Sequence, residues 1–157
     1  MAATTSTFQM DARASRRTCW AALRTRLDRV PGDLHLLLFR LAVAGVFLPA
    51  GLIKAGSWGS TVALFAEEYR VPVLAPAVAA GMATTFELGC SSLLLLGLAS
   101  RLATLPLLGM ILTIQLFVYP NAWSEHLVWG SLLVTLLTRG PGAVSLDRLI
   151  GLEPDRR

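Results

Sequence analysis

Long apolar runs alternate with short polar segments along this chain. Residues 34–53 form a run of 20 with one charge, Arg40. Residues 73–98 form a run of 26 with one charge, Glu87, and residues 102–118 a run of 17 with none. The hydrocarbon core of a bilayer is about 30 Å thick and takes about 20 helical residues, so each run predicts a transmembrane helix. A fourth run, residues 127–137, has 11 residues and reaches spanning length only by taking in residues 122–126. It too is read as transmembrane, because an odd number of spans would place the basic ends on opposite sides. The predicted fold class is an all-α membrane protein: a four-helix transmembrane bundle with an N-terminal amphipathic interfacial helix.

The polar segments carry patterns of their own. Residues 1–15 are small and polar without periodicity, which predicts a disordered start. In residues 16–30, Trp20, Leu23, Leu27 and Val30 recur at helical spacing among Arg16, Arg17, Arg24 and Arg29. That is a basic amphipathic helix suited to an anionic membrane surface. No secretory signal is expected, because the first long run starts only at Leu34 and exceeds an h-region. Pro31-Gly32 breaks this arm and Asp33 is placed to cap the next helix. Between Lys54 and Pro72, the spacing of Trp58, Val62, Phe65 and Tyr69 predicts a short interfacial helix carrying Glu67, Glu68 and Arg70. Arg139-Gly140-Pro141-Gly142 stops the last span, and Ser145 caps a short piece, LDRLIGL. The organisation is an arm over 1–33, a transmembrane domain over 34–140 and a tail over 141–157.

Composition sharpens this picture. The chain of 157 residues is 54% apolar and 15% charged, with a mean hydropathy of +0.60. These values argue against a soluble enzyme, and two cysteines, Cys19 and Cys90, cannot build a disulfide scaffold. The net charge of +4 does not indicate nucleic acid, since the charges lie between apolar runs. Their distribution sets topology instead. Eleven basic residues lie before Leu34, at Arg101 and after Thr138, against Lys54 and Arg70 in the other connections. The expectation is a multi-pass membrane protein with both termini cytoplasmic.

Chemistry centres on charges inside the runs. Glu87 falls near mid-membrane, where a carboxylate must be paired, protonated or reached by water. Helical rise puts Arg40 about 9 Å deep, Glu87 about 16 Å and Gln115 about 20 Å. Arg40 either pairs with Glu87 or snorkels to headgroups, and Gln115 either joins Glu87 or serves as helix–helix glue. Lys54 closes the first helix, where snorkelling is the simplest reading. On the opposite face, Tyr119 and Trp123 lie at headgroup level. Glu125 and His126 either start the fourth helix or make a two-ligand metal or proton site. His35 and His126 lie a membrane apart, which excludes a bis-histidine haem within one chain. A CxxC pair, a Walker A loop and an HExxH motif are all missing from the sequence.

One constellation has a familiar spacing: Arg40, Gly45, Gly51 and Lys54 in the first helix, Glu87 and Gly89 in the second, and LLLLGLASR ending at Arg101. It resembles the DoxX family of small four-helix bacterial membrane proteins over about residues 34–140. The resemblance implies a polar cluster of Arg40, Lys54 and Glu87, although depth arithmetic leaves Lys54 too far from Glu87 unless helix one tilts or breaks. It also implies the bacterial inner membrane and membrane-associated redox or thiol-stress complexes, the family taking its name from a subunit of a thiosulfate:quinone oxidoreductase. The segment YPNAWSEH resembles a subgroup found beside small secreted metal-binding peptides. Two functions are expected from this. One is a redox-linked subunit that binds a quinone between helices through Arg40, Glu87 and Gln115, with no cofactor built into the chain and no metal. The other is a non-enzymatic anchor or assembly partner linked to periplasmic metal handling. Expected partners are the lipid bilayer and other membrane or periplasmic proteins, with a homo-oligomer as a candidate assembly and no nucleic acid.

Overall fold

A computed structural model describes residues 32–153, together with Ala21 and Arg24, which are helical. The rest of the expected amphipathic arm, with Trp20, Leu23 and Leu27, lies outside the described residues, as do Arg156 and Arg157. Contacts divide the chain into Met1–Gly32 and Asp33–Arg157, and the bundle belongs to the second unit. Among the described residues its regular structure is all helical. Helix α1 spans Gly32–Gly56, α2 Trp58–Leu64, α3 Pro76–Leu96, α4 Ser100–Thr113, α5 Trp123–Arg139 and α6 Leu146–Leu149. Both α2 and α4 run on into a π-helical turn, Phe65–Tyr69 and Ile114–Val118 respectively.

Each long helix buries one stripe. Arg40, Val43, Ala44, Phe47 and Gly51 are the buried positions of α1, and Ala80, Thr84, Glu87, Ser91 and Leu94 line that of α3. These spacings of three and four repeat one helical face. Val43, Phe47, Leu94, Leu107, Leu133 and Leu136 join α1, α3, α4 and α5 in one core. The other faces carry exposed Leu34, Leu38, Leu52, Leu102, Leu105 and Leu112, which suits lipid as solvent. Among the described residues, three helices are long and apolar enough to cross a membrane: Gly32–Gly56, Pro76–Leu96 and Ser100–Val118. The chain is a multi-pass membrane protein. Helix α5, with 17 residues, is about 26 Å long.

One end of the bundle is tied into a knot of hydrogen bonds. Helix α3 starts with Pro76 in its first turn, where the missing N–H is not needed. It ends in a Schellman motif, Gly97 N–H to Leu94 O and Leu98 N–H to Leu93 O. Arg40, 2% exposed, donates to Leu94 O at 2.7 Å, Leu95 O at 2.9 Å, Pro141 O at 3.1 Å and Val144 O at 2.5 Å. It therefore caps the negative end of α3 and ties down the segment after α5. Gly97, at φ +70, has no substitute there, because a Cβ would lie 2.6 Å from the guanidinium. Asp147 accepts from the first N–H groups of α4, Ala99 at 2.6 Å and Ser100 at 3.0 Å. Arg101 donates to Leu137 O and Thr138 O at the end of α5 and pairs with Glu153.

Two expectations are corrected at this end. Arg40 neither pairs with Glu87 nor snorkels, because four carbonyls surround its guanidinium inside the bundle. Asp33 does not cap α1 from outside; it lies within the helix and accepts from Ala143 N–H at 2.9 Å. The capping role expected of Ser145 is present, its hydroxyl accepting from Arg148 N–H.

Candidate functional site: an ion pair beside an apolar cavity

At the other end, α1 and α3 approach until backbone meets side chain. A Cβ on Gly51 would lie 2.9 Å from Glu87 Cβ and 2.9 Å from Leu88 Cγ, so only glycine permits this crossing. Gly51 is thus level with Glu87, and Lys54, three residues on, stands about one turn beyond. From there the Lys54 ammonium reaches both carboxylate oxygens of Glu87, at 2.7 and 2.8 Å. Glu87 is 4% exposed, and the Lys54 side chain 16%. An ammonium has three N–H donors, and the third has no partner among the described residues.

This pairing corrects the depth arithmetic. That arithmetic treated the start of the first run, Leu34, and the end of the second, Leu98, as one plane, leaving Lys54 out of reach. The helices are instead staggered. From the Gly51–Glu87 level, α1 continues five residues, about 8 Å, whereas α3 continues eleven residues to Pro76, about 16 Å. The step is filled by α2 and its π-helical turn. Phe65 of that turn packs with Ala79 and Ala80 of α3, and the Thr61 hydroxyl of α2 donates to Lys54 O at 3.0 Å. The helix expected between Lys54 and Pro72 therefore exists, and its π-helical turn forms a wall of the site.

A cavity of about 350 Å³ opens beside the pair. Lys54 and Glu87 stand on one wall, Met82 and Phe86 of α3 and Pro106 and Gly109 of α4 on others. Both π-helical turns contribute, through Phe65 and Tyr69 and through Ile114 and Val118. Helices α3 and α4 are joined by only three residues at the Arg40 end, and the cavity lies where their far halves face each other. A roof is tied across it. The Tyr119 hydroxyl donates to Glu68, and Tyr69 stacks edge-on with Phe65 at 4.9 Å and with Tyr119 at 5.8 Å between centroids. The Glu68 carboxylate, accepting from the Tyr119 hydroxyl, pushes its pKa well above the usual tyrosine range. Burial raises that of Tyr69.

Gln115 does not join Glu87. Its amide donates to Pro120 O at 2.7 Å, which orients the other end so that Oε1 accepts from His126 Nδ1 at 2.6 Å. The pair stitches the end of α4 to the start of α5, with His126 buried and its ring near Trp129. Glu125 and Trp123 are exposed. No group of three or more His, Cys, Asp or Glu able to hold a metal occurs among the described residues.

The four candidate intramembrane residues thus separate into three places: Lys54 with Glu87 at the cavity, Arg40 in the knot, and Gln115 with His126 at the start of α5. Sequence patterning placed Phe65, Tyr69 and Glu68 on the interfacial helix but not at the site. It carries no signal for Asp147, whose role depends on a segment folding back. A family model described as DoxX matches residues 35–120, which takes in Arg40, Lys54, Glu87, Gln115 and Tyr119 and stops before α5. No curated protein and no solved structure matches the chain.

Proposed function

The chain belongs to the DoxX family, and from that premise we propose that it is a quinone-associated subunit of a redox complex in the bacterial inner membrane. The observation that carries this reading is the apolar cavity with a partly buried ammonium on its wall. Small-molecule sites run from about 300 to 1,000 Å³ and are mostly apolar with few polar groups. A cavity of about 350 Å³ accommodates a single quinone ring, and its aromatic and aliphatic lining suits the ring faces. A bound quinone supplies electron and proton carriage within the bilayer. Lys54 directs its third N–H to a ring carbonyl. Glu87 orients Lys54, and Phe65, Tyr69 and Phe86 exclude water. Arg40 and Gln115 have no part in the site, being engaged elsewhere.

In this reading α5 also crosses the membrane, and the Arg40 end is cytoplasmic. The support is the basic bias of eleven residues against two. Partners in the membrane or periplasm complete the electron path. The test is direct. The full chain, purified in native-lipid nanodiscs, is extracted and its quinone measured against protein. A near-stoichiometric quinone that falls at least tenfold in Lys54→Met supports the reading. Equal trace amounts in both, with no stabilisation by added quinone, overturn it in favour of an anchor without a ligand.

A further inference from the structure

The cavity has two sides by which an occupant can arrive, and they are built differently. On the side of the α2–α3 connection the roof is tied by the Tyr119–Glu68 hydrogen bond and by Tyr69, stacked between Phe65 and Tyr119. Between α3 and α4 nothing comparable crosses among the described residues. The rims there are Met82, 43% exposed, and Gly109, exposed and without a side chain. A Cβ built on Gly109 meets no atom within 4 Å. Pro106, one turn away on the same face of α4, also lines the cavity. Met82 lies on a helix apolar and long enough to cross a membrane, and so does Gly109, so both exposed rim positions belong to segments suited to hydrocarbon.

We propose that the cavity is entered sideways from the bilayer through the slot between Met82 and Gly109, and that its occupant is a tail-bearing amphiphile whose chain lies across Gly109. This rests on the cavity being a ligand site. The head, bearing a hydrogen-bond acceptor, meets Lys54, while the tail stays in the slot among lipid. A water-soluble molecule of the same ring chemistry meets the tied roof first. Gly109 is then a specificity-determining residue, because any large side chain there occupies the path of the tail without touching the Lys54–Glu87 pair.

Two measurements on the full chain in lipid nanodiscs test this. In a Cys19→Ser, Cys90→Ala background, a nitroxide on Gly109→Cys is relaxed by dissolved oxygen and by a water-soluble nickel chelate in turn. Strong relaxation by oxygen and little by the chelate is expected; strong relaxation by the chelate overturns lateral entry. Second, binding of a benzoquinone with an isoprenoid tail is compared with that of the same ring without a tail. Gly109→Trp is expected to weaken the tailed compound at least tenfold and the tail-less ring less than threefold, with Gly109→Ala near wild type as the folding control. Equal effects on both compounds, or none on either, overturn the proposal while leaving the quinone reading intact. If neither compound binds wild type, the quinone reading fails and the nitroxide result alone decides the route.

Discussion

Helix α1 carries one cation toward each end, Arg40 buried and Lys54 partly so, and the two are used in opposite ways. Arg40 is surrounded by four backbone carbonyls from α3 and the segment after α5, and the segment it ties down closes the end of the bundle. Lys54 meets one carboxylate and leaves a cavity beside it. The difference follows from chemistry. A planar guanidinium has five donors in a fixed fork and satisfies many acceptors at once, whereas an ammonium is a point charge with three. The fork knots an end packed tightly around it. The point charge suits a wall from which a donor is still available.

Substitutions sharpen this contrast. The largest effect is expected from Arg40→Met, which takes a donor from four carbonyls, only Leu94 O keeping another among the described residues, in Gly97 N–H, and loosens α3 from the segment after α5, costing about 3–5 kcal/mol. The thermal midpoint of the solubilised chain should fall steeply, and Arg40→Lys should recover little of it. Lys54→Met leaves Glu87 buried without its cation and costs about 3 kcal/mol, but Lys54→Met with Glu87→Leu should return to within about 1 kcal/mol of wild type. Glu87→Gln should be milder than Glu87→Leu, because the amide still accepts from Lys54. No second substitution should rescue Arg40→Met in this way. A double variant as unstable as either single one would erase the distinction between a knot and a pair.

A smaller effect tests the knot separately. Asp147→Ala removes the acceptor at the start of α4 and leaves two N–H groups unpaired, at about 1 kcal/mol. Proteolysis after Gly140 should accelerate.

The smallest concerns the roof. Both tyrosines have raised pKa values, so absorbance at the phenolate band should show neither ionising at about pH 10, the ordinary value. Glu68→Gln should bring Tyr119 back toward that value. A group whose folded pKa is raised contributes stability below its unfolded pKa and loses it as pH rises through the folded one. The roof contact should therefore hold through neutral pH and fail only in strong alkali.

The sequence by itself determined the class of protein and its three long apolar helices. These depend on local periodicity and on the cost of exposing apolar groups to water or charges to lipid, both of which are written along one dimension. Runs expected at 34–53, 73–98 and 102–118 became Gly32–Gly56, Pro76–Leu96 and Ser100–Val118. It also singled out Arg40, Lys54, Glu87 and Gln115, since polar residues inside apolar runs need partners. Which partner each one found was decided only by the tertiary structure. The stagger of α1 against α3, permitted by Gly51, brought Lys54 to Glu87, and the return of residues 141–153 gave Arg40 and Asp147 their backbone groups. A depth count assumes that helices begin in one plane. Packing sets the offset between them, and an offset of about a turn and a half is enough to bring Lys54 to Glu87.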